Sequence, residues 1–80
     1  VTIRIKTFAV LKSYFQDEFE IQIEDESNIL DVLEHLDKLN PKASHVLSHS
    51  LIAIDERMVD KSTKLQEGNL VCILPPVSGG

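Results

Sequence analysis

The hydrophobic period of this 80-residue chain changes at Asn28 from two to about 3.6, and that switch restricts its fold more than any other feature. Ile3, Ile5, Thr7 and Ala9 alternate with Thr2, Arg4, Lys6 and Phe8, the signature of a strand with one buried face. Phe8 falls on the polar side of that alternation. Beyond a turn region from Ser13 to Asp17, Phe19, Ile21 and Ile23 alternate with Glu18, Glu20, Gln22 and Glu24, which predicts a second strand returning antiparallel as a hairpin. Asn28, or Ser27 before it, is then placed to accept from the first free helical N–H groups, and Asp31 sets negative charge at the positive end of a helix. Ile29, Val32, Leu33, Leu36 and Leu39 share one side of that helix, with Asp31, Glu34, His35, Asp37 and Lys38 on the other. Pro41 disfavours helical geometry in the residue before it, so the helix ends at Asn40.

From Pro41 to Ser50 the pattern weakens into a turn or a short helical segment. Leu51-Ile52-Ala53-Ile54 reads as a buried strand and Asp55-Glu56-Arg57 as a turn into a short extended piece at Met58-Val59. Gln66-Glu67-Gly68-Asn69 is a further turn, with Gly68 able to take a positive φ. Leu70 to Leu74 is the most apolar strand, and its unbroken run predicts a central position, covered by the helix on one face and by a partner on the other. The fold class is therefore α+β: a mixed four- to five-stranded sheet on one main helix, with the first and last strands side by side at its centre. Residues 1–74 form that domain and residues 75–80 an extended tail.

The size suits a single domain with a small core, and one cysteine excludes an internal disulfide, which fits a reducing compartment. Eight Lys and Arg against thirteen Asp and Glu give a net charge of −5, which repels phosphate backbones and argues against nucleic-acid binding. No apolar run approaches the roughly 18 residues of a membrane span and no leader pattern precedes the first strand, so no membrane association and a cytoplasmic location are expected.

The tail is the candidate for chemistry. Pro75 and Pro76 fix φ and donate no N–H, which makes a semi-rigid extended arm of the approach to Val77, Ser78, Gly79 and Gly80. The two glycines lack side chains, so a narrow channel in another protein can admit them and bring a nucleotide or acyl acceptor against the backbone. Six extended residues from Pro75 reach at most roughly 20 Å.

Leu65-Gln66-Glu67-Gly68-Asn69, the apolar strand after it and the ending Pro75-Pro76-Val77-Ser78-Gly79-Gly80 resemble the small, sulfur-carrying subunit of molybdopterin synthase, of the ubiquitin-like β-grasp superfamily. Phe8-Ala9 and the helix opening Asn28-Ile29 with Val32, Leu33 and Leu36 fit as well. Three positions depart from the family's pattern: Asn69 replaces an acidic residue, Asp55 replaces an Asn, and Leu74 stands where an aromatic often precedes the prolines. The resemblance implies a carrier with no bound cofactor. An ATP-dependent, E1-like adenylyltransferase would activate the Gly80 carboxylate as an acyl-adenylate, and a sulfur donor would convert it to a thiocarboxylate. The large catalytic subunit, in a heterotetramer, would then pass that sulfur to precursor Z, a cyclic pyranopterin monophosphate. On this reading the chain is no enzyme by itself. Related alternatives are a carrier for thiamine or tRNA thiolation, or a ubiquitin-like modifier joined to lysines. A β-grasp interaction module without carrier chemistry is the reading from another class.

A tail this thin gives little affinity, so the body must dock too. If Val71 and Ile73 face the helix, Phe8 and Leu74 belong to an apolar patch beside the tail's exit and are the candidate docking residues. Other groups carry bland readings. Cys72 in an apolar strand is a small inert hydrophobe, His45 and His49 lack a third metal ligand and lie in a solvated loop, and Glu24-Asp25-Glu26 is a solvated turn. No metal site is expected.

Overall fold

Both period-two runs form strands in the computed structural model of the chain, which is described over residues 1–76. β1 (Thr2–Thr7) pairs antiparallel with β2 (Glu18–Gln22), with Ile3 opposite Ile21 and Ile5 opposite Phe19. α1 (Ile29–Leu39) follows, then a 3-10 turn (Pro41–Ala43) running into a short α2 (Ser44–Ser48). β3 (Leu51–Ile54), β4 (Arg57–Val59) and β5 (Leu70–Leu74) complete a five-stranded sheet in the order β2-β1-β5-β3-β4. β1 and β5 lie side by side in the interior of the sheet, as expected, and the structure shows that they run parallel.

The helix begins where the side-chain chemistry places it. Asn28 Oδ1 accepts from the Asp31 N–H at 3.1 Å, and Asp31 Oδ2 accepts from the Asn28 N–H at 2.9 Å, so two otherwise orphan donors are satisfied reciprocally. At the other end Asn40 leaves helical geometry before Pro41, and its side chain accepts from the Lys42 N–H. Ile29, Val32 and Leu36 of α1 are fully enclosed against Ile3, Ile5, Val71 and Ile73 of the central strands. Burial of each such side chain contributes about 1.5–3 kcal/mol relative to exposure. Leu39 departs from the expected stripe: in the last turn of α1 it is 58% exposed and lines an open groove with Tyr14, Phe15 and Phe19.

Three boundaries also differ from the sequence pattern. β1 stops at Thr7, and Ala9 is no strand residue, because at φ 52° it turns the chain into a 3-10 helix (Ala9–Ser13) ahead of the anticipated turn. His45 and His49 lie on and just after α2, so the short helix is the one of the two expected forms that Pro41–Ser50 takes, and the loop expected for the two histidines gives way to it. Arg57 pairs with Ile54, which shortens the β3–β4 turn to Asp55-Glu56. Buried Thr7 holds the excursion from residue 8 to residue 17 in place: its Oγ1 donates to the Gln16 carbonyl at 2.8 Å and its N–H to the Asp17 carbonyl at 2.9 Å. That clamp fixes where Phe8 leaves the sheet.

Candidate functional site

Register separates the two faces of the sheet. Ile5 faces Val71, Ile54 faces Val71 across β3, and Ile52 faces both Ile73 and Val59, so these residues line the α1 side. The opposite parity carries Arg4 and Lys6 of β1, Leu70, Cys72 and Leu74 of β5, Leu51 and Ala53 of β3, and Met58 of β4. No element of residues 1–76 covers this second face. β5 is therefore central by position yet covered on one side only; its unbroken apolar run reflects a face left open.

Apolar groups gather at the end of that face where β5 finishes. Leu74 pairs with Leu51, which is 62% exposed, and Ala53 lies between Cys72 and Met58, itself 57% exposed. Thr7 pairs with Ile73, and one step further on each strand stand Phe8 and Leu74, both half-buried. The Phe8 backbone is still extended, and the Lys6 ammonium sits 5.6 Å from its ring centroid, on the open face. Phe8 and Leu74 thus share one contiguous surface, as their parity predicts, and Leu51 and Met58 extend it. Sequence reasoning missed those two because Leu51-Ile52-Ala53-Ile54 reads simply as a buried strand, with no face marked as open. The signal was available in the short β4, where Met58 shares the parity of Ala53.

Charge occupies the other half of the face. Arg4 stands 3.5 Å from Glu18, both about half exposed, and Glu20 is the Arg4 partner in register. The result is a surface apolar beside the tail exit and ionic toward the β2 edge. Pro75, the next residue of the chain, is buried, whereas Pro76 is exposed. The remaining tail positions Val77, Ser78, Gly79 and Gly80 lie outside the described residues.

Cys72 sits in the middle of this face and is partly exposed rather than enclosed in the core. Desolvation is the largest influence on its thiol and pushes its pKa up from the ordinary 9.0; Glu18, Glu56 and Asp55 act in the same sense, against Lys6. At neutral pH it is therefore a protonated thiol and a weak nucleophile. The ring centroids of His45 and His49 are 4.5 Å apart, but His49 Nδ1 already lies 3.0 Å from the His45 carbonyl oxygen, and no trio of His, Cys, Asp or Glu able to hold a metal occurs among the described residues. The Glu24–Glu26 turn lines an acidic hollow with Asp31, Glu34, His35 and Lys38. Because Thr2 pairs with Gln22, that hollow lies at the opposite end of β1 from Phe8 and the tail exit. None of the described helices is long and apolar enough to cross a membrane.

Known proteins share this architecture. Residues 5–80 match the ThiS family. The chain is 33% identical over 58 residues to the molybdopterin synthase sulfur carrier subunit of Dictyostelium discoideum, covering 70% of this chain and 67% of that one. Among solved structures, a putative molybdopterin converting factor subunit 1 from Pyrococcus furiosus superposes with a TM-score of 0.87 at 26% identity, over 96% of this chain and 99% of its own. A complex of subunits 1 and 2 of molybdopterin-converting factor from Helicobacter pylori 26695 matches with a TM-score of 0.73 over the full length of both chains, at 21% identity, a level that speaks to fold alone. The chain thus belongs to the ThiS family: it is a ubiquitin-like β-grasp sulfur carrier of that type and not itself the catalyst.

Proposed function

We propose that this chain is the sulfur-carrying subunit of a molybdopterin synthase, loaded at the Gly80 carboxyl group and docked through the open face of its sheet. The observation that carries the reading is the meeting of Phe8, Leu51 and Leu74 at the end of β5, where the chain passes into Pro75-Pro76-Val77-Ser78-Gly79-Gly80. An apolar docking surface beside a slim, side-chain-free terminus lets a partner grip the body while it receives the end in its active site. The kinship with the Dictyostelium carrier supports the same assignment.

A carboxylate is a poor electrophile at neutral pH. An adenylating enzyme would convert it, with ATP, to a glycyl adenylate and release pyrophosphate; a sulfide-level nucleophile would then displace AMP and leave the thiocarboxylate. The large synthase subunit would contribute the acid–base groups and the pterin pocket, and this chain the sulfur. A dithiolene needs two sulfurs, so loaded carriers would act more than once for each precursor Z converted. The carrier would hold no resident cofactor; adenylate and thiocarboxylate would be covalent states of Gly80.

Intact-mass measurement tests the reading. After incubation with the adenylating enzyme, ATP and a sulfur source, replacement of one terminal oxygen by sulfur is expected, and that change should vanish when Gly80 is deleted. Addition of the large subunit and precursor should return the original mass. A persistent isopeptide adduct on a protein lysine would identify a modifier instead, and an unchanged mass beside a carrier that charges normally would refute both.

A further inference from the structure

Resting on the carrier reading, we infer that Pro75 is a positioning residue: it is the fixed root of the tail, so that five residues, Pro76 to Gly80, separate the docked body from the partner's reacting atoms. Pro75 continues the parity of Val71 and Ile73, both fully buried on the α1 side, and is itself buried, while Pro76 is exposed. One step beyond the Leu51–Leu74 pair, Ser50, just before β3, is also buried, its Oγ donating to the Val46 carbonyl at 2.8 Å. The root of the tail therefore stands at the closed end of the core. Pro75 has no N–H to give either flanking strand, so the β5 ladder stops at Leu74, and its ring fixes φ at the point of departure.

The two prolines consequently have different tasks. Pro75 sets the direction in which the chain leaves the sheet, and exposed Pro76 restricts φ at the next position. At about 3.3–3.6 Å per residue, five residues reach roughly 17 Å from the root, less than the six-residue arm that the sequence suggests. A rooted arm confines its end to a smaller volume than a loose one, which raises the effective concentration of the carboxyl group at the reacting centre once the body has docked. Loosening the root leaves the docking face untouched and spoils only the placement of the end.

The experiment follows adenylation by ATP–pyrophosphate exchange, with the carrier as the varied substrate in excess over the adenylating enzyme. Pro75→Gly is expected to lower kcat roughly three- to tenfold at unchanged KM, the loss reflecting a larger search volume and a lost direction. A purely structural role gives the reverse: an unfolded fraction dilutes the competent substrate, raising apparent KM while kcat at saturation stays that of wild type. Loss confined to KM, or kcat within twofold of wild type, overturns the inference. Should Pro75→Gly not fold, a single glycine inserted between Pro76 and Val77 decides, since it leaves the root intact: reduced kcat supports the five-residue measure and wild-type kcat overturns it. Wild-type chain is run first, and its failure to support exchange would refute the carrier reading itself and the inference with it.

Discussion

Asp55 and Asn69 are the two turn residues at which this chain departs from the pattern of the carriers it resembles, and the structure makes them partners. Asn69 Nδ2 donates to Asp55 Oδ2 at 2.7 Å, the Leu70 N–H donates to Asp55 Oδ1 at 3.0 Å, and Asn69 Oδ1 accepts from the Gln66 N–H at 2.7 Å. The amide and the acid have changed places while every hydrogen bond keeps a donor and an acceptor. Asn69→Asp alone would set two carboxylates against each other, and Asp55→Asn alone would leave one carbonyl oxygen to serve two donors. Each single change should therefore cost about 0.5–1.5 kcal/mol. The exchanged pair, Asp55→Asn with Asn69→Asp, restores all three bonds and should recover most of that loss. Urea unfolding of the four proteins measures the coupling, and additive losses would show that the two side chains act independently.

At the scale of elements, the β3–β4 hairpin retains strain that one substitution can relieve. Its two-residue loop, Asp55-Glu56, lies between paired Ile54 and Arg57, with φ of 48° and 73°. Positive φ at both positions is the requirement of the turn that matches strand twist, and glycine meets it without the steric cost a Cβ imposes. Asp55 is held by its bonds to Asn69 and Leu70, whereas among the described residues no hydrogen bond of the Glu56 side chain offsets its conformation. Glu56→Gly should stabilise the domain by about 0.5–1 kcal/mol, the relief of left-handed strain exceeding the added freedom of the unfolded chain. A lower urea midpoint than wild type would contradict this. The same hairpin shows where sequence patterns lose their reach. α1 was legible from Asn28 to Asn40 because cap, periodicity and Pro41 agree, and the β1–β2 hairpin because alternation runs through many residues. β4 has three residues and Asp55-Glu56 carries no glycine, so neither period nor turn chemistry marked the boundary at Arg57. Phe8 and Leu74 could be assigned to the open face by parity alone. Leu51 and Met58 could not, since a four-residue apolar run looks the same whether one or both of its faces are covered.

For the whole molecule, the sheet divides two tasks between its faces, and that division is separable by experiment. The α1 face holds the fold: Ile73 is fully buried between Thr7 and Ile52, and Ile73→Ala should cost about 2–5 kcal/mol through lost transfer energy and the cavity left behind. The open face holds the partner, on the present proposal, through Phe8, Leu51, Met58 and Leu74. Leu51 and Met58 are more than half exposed, so Leu51→Ser and Met58→Ser remove little that folding has buried and should shift the urea midpoint only slightly. Phe8→Ser with Leu74→Ser removes more, since both are half-buried, yet should still leave a cooperative transition. Affinity for the large subunit, read by calorimetry, should follow the opposite order. Ile73→Ala should bind normally at temperatures where it stays folded, while the open-face pairs should each weaken binding about tenfold or more, the loss of central apolar anchors in an interface. Leu51→Ser and Met58→Ser bear most directly on the proposal, because their exposure separates docking from stability. If they bind the large subunit as wild type does, the contact lies elsewhere, and the acidic hollow at the far end of β1 becomes the surface to test next.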